Sequence, residues 1–204
     1  MNVDLFARTI LGFHGCSREF ADDLLSGNKK LADWKPSTNK WDWLGTGIYF
    51  WEHAPQRALQ WAINNRKRLK ADHGGSVEPD CIGAVIQLGT CFDLTNIEYT
   101  EALSLVYEQV KNEYKQQGWD FPENKPLPHN PLDKDLKMRH LDCLILNETI
   151  NRAKLLGNIE FDTARGAFTE GDPAYQGGMI MEQSHIQVAV RNAHCILGLF
   201  RPTL

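Results

Sequence analysis

Gly12-Phe13-His14-Gly15 and Gly45-Thr46-Gly47-Ile48-Tyr49-Phe50 are the two stretches that decide how this chain is expected to fold. The first closes a short apolar run, which predicts a strand that carries an imidazole to its end. The second starts at a glycine turn and continues into apolar residues, which predicts a strand carrying a tyrosine. A His-Gly strand and a Gly-x-Gly-Ile-Tyr-Phe strand are therefore the first elements that the sequence predicts.

Length and composition are typical of an ordinary globular protein. The chain has 204 residues, which suits one domain, and it is 42% hydrophobic and 24% charged. The formal net charge of −4 gives no sign of a nucleic-acid binder held by bulk electrostatics, although a local basic patch stays open. The five cysteines are odd in number and lack Cys-x-x-Cys spacing, so we expect a reducing compartment. We expect neither a zinc site nor a disulfide framework.

The sequence shows neither a membrane span nor a secretory signal. No segment approaches the run of about 18 apolar residues that a spanning helix needs. At the start of the chain, Asp4 and Arg8 flank only a handful of apolar residues. We therefore expect a cytoplasmic protein with no membrane partner.

Apolar periodicity and glycine stops predict the other elements. The predicted helices are Ser17–Leu25, Ala54–Lys70, Glu98–Gln117 and Leu136–Leu156. The predicted strands are Cys81–Leu88 with an extension at Phe92–Leu94, His185–Arg191 and Cys195–Phe200. The proline-rich stretch 119–133 is predicted to be a loop. Strands at both ends with helices between them favour an α+β fold.

The stretch 28–44 lacks a clear period and carries Trp34, Trp41 and Trp43 among polar residues. These tryptophans either pack the loop down or form a lid or platform over a ligand. Together with the cluster Arg66-Lys67-Arg68, they leave single-stranded nucleic acid open as a partner, because stacking and local charge suffice to bind it.

The two opening stretches, followed by a helix from Ala54, resemble the NAD-binding core of the ADP-ribosyltransferases, in the branch of diphtheria toxin and the poly(ADP-ribose) polymerases. The resemblance implies one catalytic α+β domain over residues 1–204, with a split antiparallel β-core and flanking helices. It implies NAD as co-substrate and no metal. His14 would then bind the ribose on the adenosine side, and the Gly15 backbone would hold the nicotinamide carboxamide. Tyr49 would stack on the nicotinamide ring after a tight turn at Gly47.

The third catalytic residue of that family is a glutamate at the start of a late strand, and here Gln187 stands in its place. Gln187 can orient a ribose hydroxyl but carries no charge, and losing such a preorganised contact costs on the order of 3 kcal/mol in rate. Glu182, just before the strand, and Glu170, in the preceding loop, are the carboxylates that could supply the charge. His185 shares the strand face of Gln187 by the period of two.

The resemblance implies a mono-ADP-ribosyltransferase, because the missing glutamate disfavours chain elongation. Arg165 is a candidate for pairing with the pyrophosphate of NAD. The acceptor would be a protein or single-stranded nucleic acid, and free-standing proteins of this build suggest a bacterial toxin or phage-defence effector with an antitoxin as candidate partner. Two alternatives stay open: an NAD glycohydrolase, and a module that binds NAD or ADP-ribose without turnover.

Overall fold

Strands and helices are interspersed along the chain, and its last three strands have no α-helix between them. A computed structural model describes residues 8–73 and 78–204, with the backbone alone at 70–73. Its strands are β1 (Thr9–Ser17), β2 (Ile48–Glu52), β3 (Pro79–Gln87), β4 (Cys91–Asp93), β5 (Asn124–Lys125), β6 (Met138–Arg139), β7 (Thr163–Phe168), β8 (His185–Val190) and β9 (Ile196–Phe200). Its helices are α1 (Arg18–Ser26), α2 (Pro55–Asn64), α3 (Arg66–His73), α4 (Ile97–Gln117) and α5 (His140–Gly157).

A seven-stranded sheet in the order β4-β7-β8-β2-β1-β3-β9 organises the molecule. Its neighbouring strands run antiparallel except β4 and β7, which are parallel. Strands β5 and β6 form a separate two-stranded ribbon. The expected α+β class and the mostly antiparallel sheet are confirmed.

Helices cover both faces of the sheet. Phe50 and Val188 point to the face that α1 covers, in one apolar core. The alternate residues Tyr49 and Ala189 point to the other face, in a second core with α4 and α5. Ala58 of α2 belongs to a third, smaller core on that same side.

The predicted ends of α1 and α4 are confirmed by their caps. The Ser17 hydroxyl accepts a hydrogen bond from the Phe20 backbone N–H (3.2 Å), and Gly27 ends α1 with a left-handed φ of 80°. The Asn96 side chain caps α4, and Gly118 closes it in the same left-handed conformation. These caps define the ends of both helices.

Two helix predictions were wrong in their extent. The helix predicted over Ala54–Lys70 is broken at Asn65. The side-chain amide of Asn65 donates to the Trp61 carbonyl (2.9 Å) and so ends α2. The helix predicted from Leu136 begins only at His140, because the two residues before it pair as β6 with β5. That pairing also gives the predicted 119–133 loop a short strand.

Strands β1 and β2 separate soon after they meet. They pair only at Gly12 with Glu52 and at Phe13 with Trp51, whereas β1 pairs with β3 along its whole length. Beyond Phe13, β1 continues to Ser17, two residues past the predicted end. We call the opening between the two strands the fork.

Two parts of the sequence predictions fall outside the described residues. Asp4, used in the signal argument, is one, and Gly74-Gly75, the glycine stop expected after the predicted helix Ala54–Lys70, is the other. Within the described residues, no helix combines the length and the apolar character that crossing a bilayer would require.

Helix α2 packs so closely on β1 that Gly15 cannot carry a side chain. An ideal Cβ at Gly15 would lie 2.2 Å from the Ala58 carbonyl oxygen, a backbone atom that yields only if the whole helix moves. We expect Gly15→Ala to lower the free energy of unfolding by about 1–3 kcal/mol in urea titrations. Gly198→Ala is the matched control, since a Cβ there meets nothing within 4 Å. Equal stabilities of the two variants would contradict this packing.

Candidate active-site cleft

A cleft of about 940 Å³ opens at the fork. Its walls come from the ends of β1 and β2, the 28–47 loop, helices α2 and α3, and the segments before α5 and β8. The candidates for catalysis and NAD binding that line it are His14, Gly15, Gly47, Tyr49, Glu170 and Gln187.

His14 bridges the fork. Its Nδ1 lies 2.8 Å from the backbone carbonyl oxygen of Tyr49, so the ring nitrogen that donates here is fixed as protonated. The ring packs edge-on against Trp34, with centroids 4.8 Å apart, and also contacts Phe20 and Phe50. The imidazole is therefore held in one orientation at the cleft wall.

The Tyr49 side chain is anchored at its hydroxyl. The hydroxyl donates to the Gly45 carbonyl (2.6 Å) and accepts from the Leu44 N–H (2.8 Å). Burial, the largest cause, raises the pKa of Tyr49 well above its usual value. The hydroxyl stays protonated and committed to the turn, which leaves the ring as the part of Tyr49 that can contact a ligand.

The 28–47 loop is packed down and also lines the cleft. Ser37 and Gly47 exchange two backbone hydrogen bonds, and Asp42 accepts from the Ser37 hydroxyl (2.7 Å) and the Asn39 N–H (3.0 Å). Burial raises the pKa of Asp42, although these hydrogen bonds oppose the shift. Trp34 is buried, as the packing alternative predicts, and Trp34, Trp41 and Trp43 all border the cleft.

Glu170 is a buried carboxylate held by two cations. Arg57 Nη2 lies 2.5 Å from one carboxylate oxygen and Lys137 Nζ lies 3.0 Å from the other. Burial lowers the pKa of Lys137, but the hydrogen bond and charge of Glu170 outweigh it, so the pKa is raised overall. Because two positive charges surround Glu170, this cluster presents little net negative field to the cleft.

His185 lies behind the cleft wall, with a side chain only 1% exposed. Its Nδ1 donates to the Gln183 carbonyl (2.6 Å). Burial, followed by the charges of Arg57 and Arg139, lowers its pKa below the usual 6.5, so the ring is neutral at pH 7. His185 supports the site from the rear and does not line the cleft.

Gln187 occupies the floor between two strands. Its backbone pairs with Trp51 of β2 and with Gly166 of β7, and the residue lines the cleft. Within the described residues, the buried donors Trp51 Nε1 and Arg57 Nε have no hydrogen-bond partner, and both residues line the same cleft as Gln187.

Two candidates from the sequence lie away from the cleft. Arg165 is clamped between Glu52 (2.6 Å) and Asp93 (3.1 Å), and the hydrogen bond to Glu52 is the largest cause that raises its pKa. Glu182 is exposed in the loop before β8, where its N–H donates to the Asp172 carbonyl. The structure brings neither residue to the cleft wall.

Sequence reasoning missed three residues of the cleft. Arg57 and Lys137 hold Glu170 across more than thirty positions of sequence, and such pairings leave no local signal. Trp61 lies on the helix predicted from Ala54 and had no assigned role in the site, but it lines the cleft beside Trp51, with ring centroids 5.8 Å apart. A tryptophan on an otherwise alanine-rich stripe is the one signal that could have marked it.

Comparison of the chain with family models, curated proteins and solved structures gives no match. In the part of the chain that the structure describes, no group of three or more His, Cys, Asp or Glu side chains is arranged to hold a metal ion.

We expect Glu170→Ala to lower the free energy of unfolding by about 2 kcal/mol, because it leaves Arg57 and Lys137 without their common partner in a largely buried place. Chemical denaturation at pH 7 measures this. Glu182→Ala removes an acid from the same region at an exposed position and should stay within about 0.5 kcal/mol of the unchanged protein. Similar losses in both variants would show that the ion cluster does not stabilise the fold.

The neutral His185 makes stability depend on pH. The pKa of His185 is lower in the folded than in the unfolded chain. Its contribution to the free energy of unfolding is therefore present above pH 6.5 and is lost as the pH falls through the folded pKa. His185→Asn keeps a donor for the Gln183 carbonyl but does not titrate. Below pH 6.5, we expect the free energy of unfolding of this variant to fall less steeply with pH than that of the unchanged protein. The two slopes should differ by at most about 1.4 kcal/mol per pH unit. His194→Asn, at an exposed site, should keep the original slope.

Proposed function

We propose that this protein is a mono-ADP-ribosyltransferase that cleaves NAD in the fork cleft, on a split β-core of the ADP-ribosyltransferase kind. The observation that carries the proposal is the meeting of His14 and Tyr49 across the fork, with Nδ1 2.8 Å from the Tyr49 carbonyl oxygen. Both motifs named from the sequence thereby border one cleft, together with Gly15 and Gln187.

The size and chemistry of the cleft suit a dinucleotide. Its volume of about 940 Å³ falls within the range of small-molecule sites. Cleaving the nicotinamide–ribose bond passes through an oxocarbenium-like state, which needs an oriented ribose and a fixed leaving group. In the proposed complex His14 contacts the adenosine-side ribose, the Gly15 backbone holds the carboxamide, and the Tyr49 ring packs on nicotinamide.

Among the three candidates for the third role, the geometry favours Gln187. Glu182 does not line the cleft, and the charge of Glu170 is compensated by Arg57 and Lys137. Gln187 lines the cleft, and its backbone is fixed on both sides by the sheet. We propose that it orients the hydroxyl of the nicotinamide ribose, which gives slow cleavage and a single transfer.

A module that binds NAD or ADP-ribose without turnover is the second candidate. The observation that favours it is the charge of Glu170, which Arg57 and Lys137 compensate. Together with the uncharged Gln187, such a carboxylate provides little stabilisation for a developing cation. NAD hydrolysis would use the same groups with water as acceptor. The resemblance adds to the proposal a role as a bacterial toxin or phage-defence effector, with an antitoxin as partner. The acceptor would be a protein or single-stranded nucleic acid.

Labelled NAD separates these functions. A transferase labels a macromolecule when cell extract is added, a hydrolase releases nicotinamide equally with and without extract, and a binding module does neither while still binding NAD. We expect labelling that depends on extract. Identifying the labelled species would give the acceptor.

Variants then test the site. His14→Ala should lower NAD cleavage about 10- to 100-fold through loss of a ribose hydrogen bond, while His194→Ala, an exposed control, keeps full activity. Gln187→Ala should lower kcat far more than NAD affinity, because its contact strengthens as the cation forms. Gln187→Glu should keep or raise cleavage. A fully active Gln187→Ala with a dead Glu170→Ala would transfer the role to Glu170, and thermal melts exclude loss of folding as the cause.

A further inference from the structure

Side chains from two distant elements hold the Gly45-Thr46-Gly47 turn in place. The Asn147 Oδ1 atom, on α5, accepts a hydrogen bond from the Thr46 N–H (3.1 Å). Arg191, the residue after β8, donates through Nη1 to the Thr46 carbonyl (2.9 Å) and to Asn147 Oδ1 (3.2 Å). Both backbone polar groups of Thr46 are therefore bonded to side chains, and the two side chains are bonded to each other.

The turn also lies directly against α5. Gly45 has a left-handed φ of 68°, and an ideal Cβ there would lie 2.5 Å from Asn147 Oδ1. Cys143 links the same helix to the 28–47 loop, because its thiol donates to the Asn39 carbonyl (3.4 Å). The position of the turn therefore depends on α5, and Asn147 is the side chain that bonds α5 to the backbone of the turn.

Arg191 makes its bonds to the turn without a carboxylate partner. Over residues 8–73 and 78–204, no aspartate or glutamate pairs with its guanidinium, which donates to two neutral oxygens. Burial, the largest cause, lowers the pKa of Arg191, so the fold disfavours its charged form. Because no ion pair is formed, the structural effect of Arg191 is the fixed position of the Thr46 carbonyl.

The turn carries the bonds that anchor Tyr49. The Tyr49 hydroxyl donates to the Gly45 carbonyl and accepts from the Leu44 N–H, so both partners lie at the start of the turn. Neither Asn147 nor Arg191 lines the cleft, whereas Tyr49 does. The two residues therefore reach the cleft through the turn and the Tyr49 ring.

We infer that Asn147 and Arg191 are positioning residues for NAD: by fixing the turn they fix the Tyr49 hydroxyl, and with it the plane of the ring on which nicotinamide packs. The inference rests on the proposed function and deepens it. Displacements of about 1 Å at a reacting site are costly, so a turn that shifts affects the chemistry of the cleft. ADP-ribose carries a hydroxyl where NAD carries nicotinamide, so a displaced Tyr49 ring should weaken NAD binding and spare ADP-ribose.

Calorimetry with NAD and ADP-ribose tests the inference on three variants. Asn147→Ala removes the acceptor of the Thr46 N–H, and Asn147→Asp keeps an oxygen in its place. Thr149→Val is the matched control, since the buried Thr149 hydroxyl donates within α5, to the Ile145 carbonyl (2.8 Å). We expect Asn147→Ala to weaken NAD binding about tenfold and to keep ADP-ribose binding within about twofold, while Asn147→Asp restores NAD binding. Thr149→Val should lower the melting temperature and leave both affinities unchanged.

Backbone amide exchange gives a second readout that needs no ligand. The Leu44 N–H is bonded to the Tyr49 hydroxyl and not to Asn147, so its exchange reports on the anchor of the ring. We expect Asn147→Ala to speed exchange at Leu44 about tenfold, and Thr149→Val to leave it unchanged. Arg191→Met, which loses both hydrogen bonds, should behave like Asn147→Ala and replaces it if Asn147→Ala does not melt cooperatively.

Several results would overturn the inference. Equal losses for NAD and ADP-ribose in Asn147→Ala would mean a general change of the cleft, and unchanged NAD binding or unchanged Leu44 exchange would mean that the ring is held without Asn147. A loss that Asn147→Asp does not restore, or that Thr149→Val shares, would remove the role of the acceptor.

The unchanged protein separates these results from a failure of the proposed function. If it labels a macromolecule while Asn147→Ala gives one of the results above, the transferase stands and the positioning role falls. If it binds NAD without cleaving it, the transferase falls and the comparison of NAD with ADP-ribose still decides the positioning role. An unchanged protein that binds no NAD overturns both.

Discussion

The early separation of β1 from β2 is the constraint on which the rest of this structure depends. Two strands that could pair along five residues pair at only two positions, and the backbone carbonyl of Tyr49 that is left without a strand partner accepts from His14 instead. A side chain thus replaces a ladder bond, and the sheet stays one sheet while a cleft opens within it. The full pairing of β1 with β3 holds the other edge of β1 in the sheet.

Helix α2, the 28–47 loop and the segments before α5 and β8 surround the fork and hold it open. Helix α2 lies so close to β1 that only glycine fits at position 15, which places Arg57 and Trp61 on the wall. The 28–47 loop is fixed by its bonds to Gly47 and by the Trp43 indole, which donates to the Lys137 carbonyl (3.0 Å). Lys137 in turn holds Glu170, so the loop, the segment before α5 and the segment before β8 are coupled through one carboxylate.

Local patterns predicted the parts of the fold that local chemistry determines. Caps at Ser17 and Gly27, and the alternation along β8, were sufficient to predict those elements. The break at Asn65 depends on one side chain that competes with the helix, and the late start of α5 depends on a pairing with β5. The motif residues His14, Tyr49 and Gln187 were predicted to share one cleft, and they do. The ion pairs of Glu170 and Arg165 join residues far apart in sequence, which no window of sequence contains.

The tryptophans that line the cleft place most of the indole fluorophores of the protein in one region. Five of the six tryptophans in the chain line it, namely Trp34, Trp41, Trp43, Trp51 and Trp61. The sixth, Trp119, is exposed after α4 and packs against Tyr114 away from the cleft. Indole emission responds to the polarity and the ring systems beside it, so a molecule that enters the cleft alters most of the signal at once. The fold therefore carries its own optical reporter of occupancy, with a single outlying fluorophore as its internal reference.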